Sequence, residues 1–159
     1  LCGGEFTLGS ETIRATVIGA GCHSAQLSGS TVFHQNVPFP LKNVPVVLLA
    51  DISRETIRRE LSKQEDSAIL AFPGLASPGY REVAAMAEEI AAGTGGNALI
   101  CLEQDMAKAL GQALALRLGC NAQILCIDRV KVSEGSYLDV GAPVGPALPV
   151  VVKTLVLGK

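Results

Sequence analysis

The apolar positions of this chain fall into short blocks separated by glycine, proline and charge, and the spacing within the blocks changes along the chain. Residues 13–18, IRATVI, are β-branched and apolar and stop at Gly19-Ala20-Gly21, the pattern of a strand entering a turn. Residues 22–28 then predict a short helix closed by Gly29. STVFHQNVPF reads as extended, Pro38, Pro40 and Pro45 forbid regular helix over 37–45, and VPVVLLA reads as a strand. DISRETIRRELSKQ predicts a surface helix: Asp51 or Ser53 caps it, Ile52, Ile57 and Leu61 mark one face, and charge fills the other. From there the alternation is regular. SAILAFPG, NALICLEQ and AQILCIDRVKV read as strands. SPGYREVAAMAEEIAAG reads as a helix ending at Gly93, and DMAKALGQALALRLG as a helix with Asp105 near its start and Gly119 at its end. IDRVKVSEGSYLDVG alternates like an antiparallel hairpin turning at Gly135, and PVVVKTLVL is a last strand.

Strand–helix–strand–helix–strand predicts an α/β fold: a parallel or mixed sheet with flanking helices and right-handed crossovers, plus a β-rich C-terminal hairpin region. The expected organisation is one domain over residues 1–159, with the β-rich segment 134–159 packed on it.

Composition narrows the function classes. Apolar residues make up 48 % of the 159 and charged residues 18 %, enough for a core and no case for disorder. Aromatics are 4 % and Trp is absent, so the core must be aliphatic. The net charge of −2, with both signs interspersed, gives no footprint for nucleic acid and no polybasic membrane patch. The apolar runs fall far short of the ~20 residues a membrane helix needs. No secretory signal is evident and the chain begins without Met, which reads as a fragment or domain of a longer protein. Five cysteines, an odd count without C-x-x-C spacing, favour a reducing cytosolic setting, with Cys22, Cys101 and Cys126 packed as small apolar residues.

Candidate chemistry is sparse. Gly19 and Gly21 follow a strand and precede Ser24, where backbone N–H groups could approach an anion, but neither G-x-G-x-x-G nor G-K-[ST] is present. A tight structural turn is the competing reading. Cys22 and His23 could form a nucleophile pair, and His34 lies further on, but the spacing of a zinc site is missing. Glu103 and Asp105 sit after a strand, where carboxylates could hold Mg2+ through water; helix capping by Asp105 is the plainer role. Asp139, in GSYLDVGAPVG, reads as part of a structural hairpin.

Three segments in order, TIRATVIGAGCHSAQLSGSTVFHQNVPFPLKNVPVV, LEQDMAKALGQAL and YLDVGAPVGPALPVVVKTLVL, resemble the C-terminal portion of the EutA family. These are ethanolamine utilization proteins described as reactivating factors of ethanolamine ammonia-lyase. The resemblance implies the C-terminal half of an actin-like ATPase fold. It also implies a chaperone-like activity that exchanges damaged cobalamin for intact adenosylcobalamin on the lyase, with ATP and Mg2+. That superfamily carries an adenosine loop of strand, Gly-Gly and helix. VIGAGCHSAQ is similar, which makes Gly19, Ala20, Gly21 and Ser24 the nucleotide-binding candidates, with Ala20 where the second glycine would stand. The family's first phosphate loop and Mg2+-binding acid belong to its N-terminal half. The fragment alone is therefore expected to bind no cofactor and to hydrolyse ATP negligibly, and no catalytic residue is assigned to it. The implied partners are the lyase and further copies of the chain; the implied setting is the bacterial cytoplasm, beside the ethanolamine microcompartment. The rival reading is an assembly or docking module without a nucleotide role, using exposed strand edges in 37–45 and 134–157. A Cys22-based hydrolase is a third reading and needs a low-pKa, exposed thiol.

Overall fold

The computed structural model describes residues 22–28, 32–145 and 147–154. Over these the chain forms strands β1 (Cys22–Ser28), β2 (Phe33–Gln35), β3 (Leu41–Leu48), β4 (Ile69–Phe72), β5 (Ala98–Leu102), β6 (Ile124–Ile127), β7 (Ser136–Val140) and β8 (Leu148–Thr154). Its helices are α1 (Arg54–Ser62), α2 (Tyr80–Thr94) and α3 (Ala107–Leu118). The strands make one mixed sheet in the order β1-β8-β7-β3-β4-β5-β6-β2. Strands β3 to β6 are parallel and lie side by side in chain order. Successive crossovers of one hand between neighbouring parallel strands put every connecting helix on the same face.

That face is packed by Ile57 of α1, Val83, Ala87 and Ile90 of α2, and Leu110 and Leu114 of α3, against Leu70, Phe72, Ile100, Leu102, Ile124 and Cys126. The intervening strand residues point the other way, as the period of two requires. Val46, Ile69, Ala71, Leu99, Cys101, Leu125 and Ile127 form a second core with Leu138, Val140, Leu148, Val150 and Val152. Strands β7 and β8 thus curl over the face the helices leave bare. With both faces covered, β4, β5 and β6 are buried at every position.

Strand β3 joins the two halves. Its first part, Leu41 to Pro45, pairs antiparallel with β7; its last part, Val46 to Leu48, pairs parallel with β4. The ladder shifts register between Leu41 and Val44, where Asn43 adopts a φ of 54°. Asp139 of β7 accepts the Asn43 N–H at 2.7 Å, and Lys153 of β8 reaches both the Asp139 carboxylate (3.0 Å) and the Asn43 side-chain oxygen (2.5 Å). Burial opposes ionisation of Asp139, but the Asn43 amide and the Lys153 ammonium hold its carboxyl below the usual carboxylate range.

Local sequence explains the helix ends. Ser53 caps α1, accepting the Thr56 N–H at 3.2 Å, and Asp51 accepts the Ser53 hydroxyl. The expected end of α2 at Gly93 is corrected: Gly93 lies inside the helix, and Gly95, with a φ of 75°, is the cap. Gly93 is there for packing, because a Cβ would come within 2.7 Å of the Ile57 side chain. Gly111 plays the same part beneath Phe33 of β2, whose side chain a Cβ there would meet.

Three further expectations are corrected. Residues 22–28 form a strand, β1, paired with β8 from Cys22 opposite Thr154 to Ser28 opposite Leu148; the apolar face of β8 recruits this segment over its weak helical pattern. The hairpin from 127 to 141 does not form. Strand β6 already has β5 on one side and β2 on the other, so the chain breaks off at Ile127 and β7 pairs with β3 instead. Among the described residues the strand edges proposed for docking in 37–45 and 134–157 are occupied, since β3 lies between β7 and β4, β7 between β3 and β8, and β8 between β7 and β1.

Helices α1 and α2 are tied by Arg54, whose side chain meets both Glu89 carboxylate oxygens (3.1 and 2.9 Å) while its N–H donates to one of them (2.9 Å). The Arg54 side chain, then its N–H, hold the Glu89 carboxyl down to about 2. A lowered pKa means stability that is present above the ordinary value of 4.5 and lost as pH falls toward about 2. The thermal midpoint of Glu89→Gln is therefore expected to lie below that of the parent by a constant margin above about pH 5.5, and the margin to close as the pH drops through the acid range. Melting curves across pH check this; a margin independent of pH would show that the ion pair contributes nothing to folding.

Candidate functional site

Open sheets bind ligands beyond the carboxyl ends of their parallel strands. Here that edge comprises the segments after β3 (49–53), β4 (73–79), β5 (103–106) and β6 (128–134). These segments are pinned to one another by backbone bonds. Gln104 N–H donates to Pro73 (3.0 Å), Val130 N–H to Leu102 (3.2 Å), and Leu49 N–H to Ala71 (2.9 Å). The Leu75 N–H meets the Met106 sulfur at 3.2 Å.

Two clefts open on this edge. The first, about 220 Å³, lies between the ends of β3, β4 and β5 and the segment 130–132; Leu48, Phe72, Pro73, Cys101, Glu103 and Val130 line it. The second, about 190 Å³, lies toward the helices and is lined by Asp51, Ile52, Gly74, Leu75 and Met86. Leu49, Phe72 and Pro73 belong to both walls. Leu48 and Leu75 are 43 % and 37 % exposed at the rims, unusual for leucine beside a strand end. No basic side chain lines either cleft.

The end of β6 carries two polar contacts to the start of α3 and the loop before it. Asp128 is fully buried, and its carboxylate accepts the Ala107 N–H, the first of α3, at 3.2 Å. Arg129 adopts a φ of 60°, a left-handed conformation costing a non-glycine residue about 1 kcal/mol. Its guanidinium bonds Asp105 at 2.7 Å. The turn this creates throws Val130 inward, 1 % exposed, against β5.

Several sequence candidates change role. Asp105 does not cap α3: the N-cap position is Met106, which makes no side-chain cap, and Asp105 pairs with Arg129 instead. Asp128 supplies the acceptor from across the sheet, a role invisible in sequence because it comes from a residue 21 positions away. Glu103 lines the first cleft, and among the described residues it has no hydrogen bond or ion pair. No group of three His, Cys, Asp or Glu among the described residues could hold a metal ion, so Glu103 and Asp105 are not brought into a metal site. His34 is exposed on β2, its ring edge-on to that of Phe39 with centroids 5.4 Å apart, in no cluster. Gly19, Ala20 and Gly21 lie outside the described residues; Ser24 is in β1, opposite Val152, and no helix begins there. Burial pushes the Cys101 thiol up to about 12 and the Cys126 thiol higher still, leaving both inert.

Comparison with known proteins supplies what the geometry lacks. The family model for ethanolamine utilisation protein EutA matches residues 5–158. The ethanolamine ammonia-lyase reactivase EutA of Salmonella typhimurium (strain LT2) is 34 % identical over 92 % of this chain, and that of Escherichia coli (strain K12) is 35 % identical over 92 %. The chain spans about a third of the length of these curated relatives, 34 % of each. No solved structure matches it significantly.

The exchange of capping partners is testable by substitution. Asp128→Ala is expected to lower unfolding free energy by roughly 1–3 kcal/mol, because it strands a buried N–H at the start of α3. Asp105→Ala, which removes the exposed ion pair with Arg129, is expected to cost clearly less. Urea unfolding of both checks it; a larger loss for Asp105→Ala would return the cap to Asp105.

Proposed function

We propose, since the chain belongs to the ethanolamine utilisation protein EutA family, that it is the C-terminal part of a reactivating factor for ethanolamine ammonia-lyase. The observation that carries this is the continuous match over almost the whole chain to a family whose named members are reactivases of that lyase. The finer reading is a chaperone-like factor of actin-like type that exchanges damaged cobalamin for intact adenosylcobalamin, using ATP and Mg2+. The lyase is its client, further copies of itself its other partner, and the bacterial cytoplasm beside the ethanolamine microcompartment its setting.

Among the described residues neither cleft on the carboxyl edge is lined by a basic side chain, and the segment after Gly21 is a strand. No hydrolytic step is assigned to them. Gly19, Ala20, Gly21 and Ser24 remain the proposed nucleotide wall, completed by parts of the protein outside this chain; a half-site cannot position water for attack on a phosphate.

The experiment adds the longest natural protein containing this chain to lyase blocked by damaged cobalamin. Turnover is expected to return when adenosylcobalamin, ATP and Mg2+ are supplied together. Gly21→Val is expected to weaken Mg-ATP binding at least roughly tenfold by calorimetry, about 1.4 kcal/mol. The chain by itself should hydrolyse ATP no faster than a protein-free control. Recovery without ATP would remove the nucleotide from the account, and absence of recovery would remove the reactivase reading.

A further inference from the structure

The first cleft on the carboxyl edge has a chemistry of its own. Its walls are aliphatic and aromatic carbon from Leu48, Leu49, Ala71, Phe72, Pro73, Val130 and Val132. Its polar side chains are the Glu103 carboxylate and the Cys101 thiol. The thiol is buried, donates weakly to the Val130 carbonyl at 3.7 Å and stays neutral. The carboxylate, by contrast, has no hydrogen-bond or ion-pair partner among the described residues. Glu103 is held in place by its neighbours: Gln104 is bonded to Pro73, and Leu102 to Val130.

The sign of the site follows. A phosphate or carboxylate entering the cleft would stand beside Glu103 with no cation to offset the repulsion. A fully apolar ligand would cover the carboxylate and give nothing back for the water it lost. A cation on an apolar stem satisfies both halves, as lysine does when its methylenes lie on apolar surface and its ammonium finds a carboxylate. At about 220 Å³ the cleft is smaller than the 300–1,000 Å³ of drug-sized pockets, which limits it to a stem of roughly four carbons.

We propose that this cleft binds an alkylammonium group, with the stem between Leu48, Phe72 and Val130 and the cation at Glu103. The group comes either from a free amine or from a lysine side chain of a partner protein. The proposal does not rest on the nucleotide reading, and it stands or falls separately from it.

The test is a methyl-detected NMR titration of the protein with n-butylammonium chloride, n-butanol and the peptide acetyl-Gly-Lys-Gly-amide, at fixed ionic strength. The expected result is saturable shifts of the Leu48, Leu49, Val130 and Val132 methyls with butylammonium, at a Kd on the order of 1 mM. Butanol should bind at least roughly tenfold more weakly, and Glu103→Gln should weaken butylammonium by a similar factor. Glu103 is exposed, so this variant keeps the fold, which its unchanged remaining spectrum would verify; Glu103→Lys, which brings its own ammonium, should abolish binding. Equal shifts from the peptide assign the site to a protein lysine, and shifts from butylammonium alone assign it to a free amine. Equal affinity for butanol, indifference to Glu103→Gln, or no movement of the cleft methyls would each overturn the proposal.

Discussion

The structure depends on one strand belonging to two half-sheets. A parallel sheet needs cover on both faces, and sequential crossovers of one hand supply helices to only one of them. The chain solves this with β3. Its first residues pair antiparallel with β7 and its last pair parallel with β4, so the antiparallel half can bend across the uncovered face. The bend has visible local causes. Asn43 takes a left-handed conformation at the register shift, Pro45 brings no N–H to the changeover, Asp139 of β7 accepts the Asn43 N–H, and Lys153 of β8 donates to the Asn43 side-chain oxygen. Two aliphatic cores result, one beneath the helices and one beneath the curl. A chain with 4 % aromatics has little alternative, because it must bury many medium-sized side chains rather than a few large ones.

The same division shapes the carboxyl edge. Beyond Pro45, β3 leaves β7, and the segment 130–132 stands near its end without joining the sheet. The gap between them is the first cleft. Asp128 and Arg129 lead into that segment: one turns into the molecule to cap α3, the other takes a left-handed turn and clasps Asp105. The left-handed turn at Arg129 and the exposed leucines at the rims lie on the edge where α/β sheets carry their function.

Much of this was legible in the sequence, for physical reasons that differ by element. The three helices and the parallel strands between them follow from periodicity and punctuation, and Ser53, Ile57, Leu61 and Gly119 take the places their patterns assign. What escaped was decided by partners far away in sequence. Residues 22–28 carry a weak local preference that the ladder with β8 overrides. The alternation in 127–141 is real, but no edge of β6 remained for it. Asp105 has the type and position of a cap, yet the N–H it would serve is taken by Asp128 from the next strand. The candidate site divides in the same way. Glu103 could be placed at a strand end from sequence, whereas the apolar walls around it come from four separate segments. The family was legible because three ordered segments resemble it, while the glycine loop that would carry a nucleotide lies beyond the described residues.

The central claim is that β7 and β8 fold back over the parallel strands through β3. Nuclear Overhauser contacts between assigned methyl groups test it most directly. The account predicts a connected network linking Leu138, Val140 and Val150 to Ile69, Leu99 and Leu125 across the second core. A network that stops at Val44 and Val46, leaving the β7–β8 methyls in contact only with one another, would contradict it.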